Sequence, residues 1–107
     1  MVEVWKEVEN YDGDYLISNY GEVKSLKKKP RILKKRKNRY GYFYVNLCKN
    51  GKYKSLDIHR LVALHFLNNS YKKQVNHKDG KKSNNNLCNL EFVTAKENIQ
   101  HAKGLPN

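Results

Sequence analysis

Carboxylates are scarce where this chain carries most of its charge. Residues 26–107 hold four acids, Asp57, Asp79, Glu91 and Glu97, against twenty lysines and arginines, a balance of +16; residues 1–25 hold six acids against Lys6 and Lys24, a balance of −4. A formal net charge of +12, so unevenly placed, calls for a polyanion. Long apolar runs are missing too. No stretch approaches the roughly 20 apolar residues of a membrane-spanning helix, and neither a lipidation signal nor an amphipathic basic helix stands out, so nucleic acid is the expected partner rather than a membrane surface. Cysteine is limited to Cys48 and Cys88, far apart and outside any C-x-x-C pair. That spacing argues against a zinc ribbon or knuckle and fits two reduced thiols. The opening MVEVWKEVENY lacks the positive start and apolar run of a secretory signal, so the protein reads as intracellular, in the cytoplasm. At 107 residues, with no repeat and no separate linker, the chain has room for one hydrophobic core, and a single unit over 1–107 is expected.

What is present divides into short punctuated elements. Tyr15-Leu16-Ile17-Ser18 and Glu22–Leu26 flank Asn19-Tyr20-Gly21, which reads as strand, tight turn, strand. The segment Lys27 to Arg39 then carries nine bases and no acid: Lys27, Lys28, Lys29, Arg31, Lys34, Lys35, Arg36, Lys37 and Arg39. Such a run is ordinarily a solvated loop or arm. Here it leads into Tyr40–Leu47, the Asn50-Gly51 turn and Tyr53–Leu56, a β-hairpin pattern, so the run is expected to lie against that sheet and present positive charge on one face. From Asp57 as N-cap, residues 58–67 place apolar side chains at 58, 61, 62 and 66, the spacing of a buried helix face. Gln74–His77 and Leu90–Val93 read as two strands joined by a Gly/Asn-rich loop. Thr94-Ala95-Lys96-Glu97 fits the S/T-x-x-E capping box and predicts a helix over about 95–103 that stops near Gly104, with Pro106 beyond. The expected fold class is α+β, with a small antiparallel sheet and hairpin in 1–56 and a strand–loop–strand–helix unit in 57–107.

The stretch VNHKDGKKSNNN, residues 75–86, raises the functional question. Turn chemistry accounts for its Gly, Ser and Asn residues but not for a histidine, the side chain that ordinarily titrates near neutrality. Counting from Thr94, Asn98 stands one turn into the last helix and shares a face with the small Ala95 and Ala102, so it is expected to point toward the strands. Asn76, His77 and Asn98 then converge, bringing two hard amide oxygens and one imidazole together. Oxygen donors suit Mg²⁺ or Mn²⁺. Neighbours on a regular strand face opposite ways, so Asn76 and His77 serve one site only if the strand ends or bulges there, as Lys78-Asp79-Gly80 suggests. Asp79 is expected to hydrogen-bond the loop backbone rather than bind metal. His59 and His65 read as satisfied core or helix-end residues, His101 as a helix-terminal group, and the eight tyrosines as packing groups.

At these residues the chain resembles the HNH nuclease family in its phage and intron-encoded homing form. The resemblance rests on HRLVALHF (59–66) and VNHKDGKKSNNNLCNLEFVTAKEN (75–98), with WKEVENYDGDYLISNYGEVKSL (5–26) similar to the β-rich module that precedes the nuclease motif. It implies a ββα-metal finger in which His77 is the general base, Asn89 braces the loop and orients that histidine, and Asn76 and Asn98 bind one Mg²⁺ or Mn²⁺. It also implies a DNA endonuclease leaving 5′-phosphate and 3′-hydroxyl ends. A single motif per chain suggests a monomer that nicks one strand, with a dimer or two visits for a double-strand break. Longer members of the family often carry a C-terminal helical DNA-binding region beyond the point where this sequence stops, so the chain reads as a relaxed nickase, a natural truncation or a piece of a larger assembly. With no carboxylate in the expected first shell, metal binding by the free protein should be weak and completed by the DNA phosphate. The competing class is a basic DNA- or RNA-binding module without catalysis.

Overall fold

Turns that need positive φ break the first half of the chain into short strands. The computed structural model describes residues 2–68 and 72–102. Strands β1 (Trp5–Glu7), β2 (Tyr15–Ser18), β3 (Val23–Ser25) and β4 (Arg31–Ile32) form one antiparallel sheet in chain order. A second sheet contains β5 (Arg36–Lys37), β6 (Phe43–Lys49) and β7 (Lys52–Asp57). Helix α1 (Ile58–Phe66) follows directly; strands β8 (Gln74–His77) and β9 (Leu90–Val93) pair antiparallel, and α2 (Ala95–Ala102) ends the described part.

Local chemistry explains most of these boundaries. Asn50 and Gly51 have φ of 52° and 76° and connect Lys49 to its ladder partner Lys52, the two-residue hairpin that an Asn-Gly pair favours. The basic run does not form a free arm. Its Arg31–Ile32 pairs with β3 and its Arg36–Lys37 with β6, so it crosses from one sheet to the next as an edge strand of each. Strand β1, absent from the expectations above, pairs with β2 over Trp5–Glu7, and the buried Asn19 side chain holds the segment before it: its Oδ1 accepts the Val4 N–H at 2.7 Å and its Nδ2 donates to the Val2 carbonyl at 3.0 Å.

Alternation in the strands and the 3.6 period in α1 meet in one apolar cluster. It contains Ile17 and Val23 of the first sheet, Val45 and Leu47 of the second, Ile58, Leu61 and Val62 of α1, and Leu90 of β9. The part from α1 onward therefore shares its core with the β-rich part. Truncating Leu47, which is fully buried, to alanine is expected to cost about 2–5 kcal/mol.

Both helix starts depart in part from expectation. Asp57 is the N-cap of α1, but its side chain makes no capping hydrogen bond, because the residue still belongs to the β7 ladder as the partner of Tyr44. The helix ends at Phe66, and Leu67 is extended. The capping box of α2 is formed: Thr94 Oγ1 accepts the Glu97 N–H at 3.1 Å and Glu97 Oε1 accepts the Thr94 N–H at 3.0 Å. Ala95, expected to face the strands beside Asn98, is exposed. The expected stop at Gly104 and Pro106, and the side chains of His101 and Ala102, lie outside what the structure describes. His65 ties α1 to the first sheet, its Nδ1 donating to Leu61 O at 2.8 Å while its Nε2 accepts the Glu9 N–H at 3.0 Å. Among the described residues no helix is long and apolar enough to cross a membrane.

Candidate functional site

Strand β8 runs into a turn at the histidine. Asn76 and His77 both still stand in the ladder, opposite Glu91 and Leu90; the Lys78 N–H extends it by one bond to the Asn89 carbonyl at 2.8 Å, and the turn follows, its Gly80 N–H donating to the His77 carbonyl at 2.9 Å. The strand ends just after the histidine rather than between it and Asn76, and the two side chains take different partners, Glu91 for Asn76 and Asn85 for His77. Asn76 and His77, 7 % and 5 % exposed, both line a cleft of about 360 Å³ together with Asn98 of α2, Val75, Gly80, Tyr42 and Lys82.

The imidazole of His77 is held at one nitrogen. Its Nε2 lies 2.7 Å from Oδ1 of the buried Asn85, and an amide oxygen only accepts, so Nε2 carries the hydrogen and the lone pair of the neutral ring sits on Nδ1. On its face the ring packs in an aromatic group, 5.1 Å from the His59 centroid, which in turn lies 4.9 Å from Tyr42. His59 is not the satisfied core histidine expected from its helix. Its Nδ1 is buried without a hydrogen-bond partner among the described residues, the ring lying beside those of Tyr42 and His77. Burial, then the neighbouring His77 and Arg60, push its pKa down to about 4, so it is neutral near pH 7.

Asn85 is itself clamped by the first sheet. The Leu87 N–H donates to Asn19 O at 2.7 Å, and Gly21, at φ 82°, packs so closely that a Cβ there would come within 2.9 Å of Asn85 O. Position 21 is thus restricted to glycine by conformation and by contact.

Asn89 contacts the loop and makes no side-chain hydrogen bond to His77 among the described residues. Its Oδ1 accepts the Asp79 N–H at 3.1 Å, and its Nδ2 donates to Asp79 Oδ1 and to Asn84 O, both at 2.9 Å. The expected double role therefore divides, with Asn89 cross-linking the loop and Asn85 touching the imidazole. Asp79 is the loop organiser anticipated for it: hydrogen bonds from Asn84 Nδ2, the Lys81 N–H and Asn89 hold its carboxyl at about 2.

The two amides have their nitrogen ends committed. Asn76 Nδ2 donates to Glu91 Oε2 at 2.8 Å and Asn98 Nδ2 to Gln74 Oε1 at 3.0 Å. Among the described residues their carbonyl oxygens have no hydrogen-bond partner, and such oxygens fit a hard cation such as Mg²⁺ or Mn²⁺. Among the described residues no three His, Cys, Asp or Glu side chains gather into a metal-binding group. Positive charge also reaches the cleft. Lys82 Nζ stands 4.7 Å from the Tyr42 ring centroid and donates to Tyr40 O at 2.8 Å.

Sequence reasoning passed over Asn85, Glu91, Gln74, Tyr42 and Lys82. Strand periodicity was signal enough for two of them, since Gln74 shares a face with Asn76 and Glu91 is its cross-strand partner. Nothing local distinguishes Asn85 from Asn84 and Asn86.

The basic run divides by exposure. Lys28, Lys29, Arg31, Lys34, Arg36, Lys37 and Arg39 are exposed. Lys27 instead donates to Cys48 O at 3.0 Å, and Lys35 is paired with Glu22. Arg31, Lys34 and Arg36 join Leu33, Asn46, Tyr53 and Ser55 around an open groove of about 450 Å³ on the solvent face of the second sheet.

Comparison with known proteins agrees with this geometry. Residues 3–48 match the NUMOD4 motif and residues 57–100 match the HNH endonuclease family. DNA endonuclease I-HmuI of Bacillus phage SP01 is 43% identical over 99 residues, covering 91% of this chain and 56% of that protein. The SPbeta prophage-derived putative HNH homing endonuclease YosQ of Bacillus subtilis (strain 168) is 43% identical over 101 residues, with the same coverages of 91% and 56%. The solved structure described as DNA binding and cleavage by the HNH homing endonuclease I-HmuI superposes with a TM-score of 0.87 at 42% identity, over 97% of this chain and 61% of that one. The chain thus spans a little over half the length of these two relatives. The two matches stand in the same order as the two structural parts, and the backbone follows that of an HNH homing endonuclease over 97% of the chain, so residues 57–100 carry an HNH endonuclease motif behind a NUMOD4 motif.

Proposed function

We propose that the protein is a divalent-metal-dependent DNA endonuclease of homing type that nicks one strand by hydrolysing a phosphodiester, leaving 5′-phosphate and 3′-hydroxyl ends. The observation that carries this reading is the meeting of His77, Asn76 and Asn98 in one cleft, with the imidazole held at Nε2 by Asn85. The free Nδ1 of His77 is the general base. It removes a proton from the attacking water, a contribution of about 10²–10⁴-fold in rate. Asn76 and Asn98 hold one Mg²⁺ or Mn²⁺ through their carbonyl oxygens. When bound, such an ion supplies Lewis-acid stabilisation for charge on the phosphate and the leaving 3′ oxygen. Asn89 keeps the loop closed so that the strand end carrying His77 keeps its place, and Lys82 favours an anionic group in the cleft.

Duplex DNA is held mainly through phosphate contacts from Lys28, Lys29, Arg31, Lys34, Arg36, Lys37 and Arg39. Lys27 and Lys35 reach a phosphate only by giving up their internal partners. With about six phosphates neutralised, log affinity falls with log salt at a slope near roughly −5. One site per chain fits a monomer acting on one strand at a time.

Supercoiled plasmid incubated with Mg²⁺ or Mn²⁺, with and without EDTA, tests the proposal beside a His77→Ala variant. Metal-dependent conversion to open circle by the unmodified protein alone is expected. Retarded plasmid with no conversion would establish a binding module instead.

A further inference from the structure

A carboxamide has a donor end and an acceptor end of nearly the same shape, and only the oxygen suits a cation. An asparagine ligand therefore needs something to choose its orientation, whereas a carboxylate, with two equivalent oxygens, does not. Each amide of the cleft has such a partner. Glu91 lies directly across the β8–β9 ladder from Asn76 and accepts its Nδ2 at 2.8 Å. Gln74, two residues before Asn76 on the same strand face, accepts Nδ2 of Asn98 at 3.0 Å through Oε1.

We propose that Glu91 and Gln74 are positioning residues that turn the carbonyl oxygens of Asn76 and Asn98 toward a divalent cation. The inference rests on the cleft being a cation site. Glu91 has the larger part. An ionised carboxylate accepts and never donates, so it permits one orientation of Asn76 and excludes the other. It is also the acid of the basic region nearest the proposed ligands and not spent on local structure, since Asp79 is tied into its loop and Glu97 into the α2 cap and a pair with Lys72. Its charge offsets the cationic surroundings that would otherwise repel a divalent ion from two neutral amides.

The test measures Mn²⁺ binding to the full chain without DNA, from the loss of the free Mn²⁺ EPR signal at millimolar metal. Asn76→Ala serves as the loss-of-ligand reference. Glu91→Leu is expected to weaken Mn²⁺ binding about 10–100-fold, and Gln74→Leu less. Adding Asn76→Asp to Glu91→Leu is expected to restore binding, because a carboxylate at position 76 needs no orienting partner, a rescue that a general loss of packing does not allow. In metal-free protein, the side-chain NH₂ resonances of Asn76 should shift in Glu91→Leu. Glu91→Gln, close in size and still able to accept, keeps the fold and is expected to lose about tenfold through charge. If Asn76→Ala loses Mn²⁺ while both Glu91 variants bind as tightly as the unmodified protein, the positioning role is overturned and the cation site stands. If Asn76→Ala binds Mn²⁺ unchanged, the cation reading of the cleft falls, and the positioning role with it.

Discussion

The β-rich half and the ββα half use polar side chains in opposite ways. Around β4 and β5 the cationic groups stand in solvent, with Arg31, Arg36 and Lys37 exposed on strands two residues long. Around β8 and β9 the polar groups are enclosed, His77, Asn85, Asn89 and Asn76 each being at most 7 % exposed and each bonded to a named partner. Exposed charges meet a polyanion by number, are screened by salt and can replace one another. Enclosed polar groups work by orientation, which needs one end of each held by a directed hydrogen bond and the other left for a ligand. The halves are nevertheless mechanically joined, since Asn19 and Gly21 of the first sheet hold the loop that presents Asn85 to His77.

The contrast is broken most directly at the enclosed site. His77→Ala should lower the nicking rate by about 10²–10⁴-fold while plasmid retardation in a gel is unchanged. Acid should be the next most damaging perturbation. His59 has a pKa of about 4 in the fold against 6.5 when free, so between these values the unfolded chain takes up more protons. Its contribution is therefore complete above pH 6.5 and is lost as pH falls toward 4, by up to about 3 kcal/mol. Urea unfolding at a series of pH values should show this slope, and His59→Phe, which keeps the stacked ring, should flatten it.

The joint between the halves comes third. Gly21→Ala combines a left-handed φ with a clash against the Asn85 backbone, and should cost about 1–3 kcal/mol in unfolding experiments. The same variant should slow nicking through Asn85 although position 21 lies in the other half of the chain, with DNA affinity preserved. Smallest of all is the loss of one exposed base: Lys34→Ala should reduce the salt slope of DNA binding by about 0.9 and leave the rate at saturating DNA unaltered.

Elements written in local chemistry were legible. The Asn50-Gly51 hairpin and the Thr94/Glu97 capping box depend on residues within three positions of each other, and both formed as their spacing requires. That Asn76, His77 and Asn98 line one cleft was legible too, through the order strand, loop, strand, helix. Other features depended on distant partners. Strand β1 pairs with β2 and the segment before it is held by the side chain of Asn19, and the group of Tyr42, His59 and His77 draws on the β6, α1 and β8 regions. Asn85 is one of three consecutive asparagines, and only its contact with Gly21 and His77 singles it out.

By itself, the sequence determined that the chain is cationic after residue 26, that its elements are short and turn-bounded, and that one histidine stands beside one amide ahead of a capped helix. These follow from charge, periodicity and turn chemistry, which act between near neighbours. Only the tertiary structure decided which nitrogen of His77 is tied, which ends of Asn76 and Asn98 are bonded, and which two lysines of the basic run are spent internally. Those are matters of hydrogen-bond direction between groups remote in the chain, and such directions exist only once one shared core has brought the sheets and helices together.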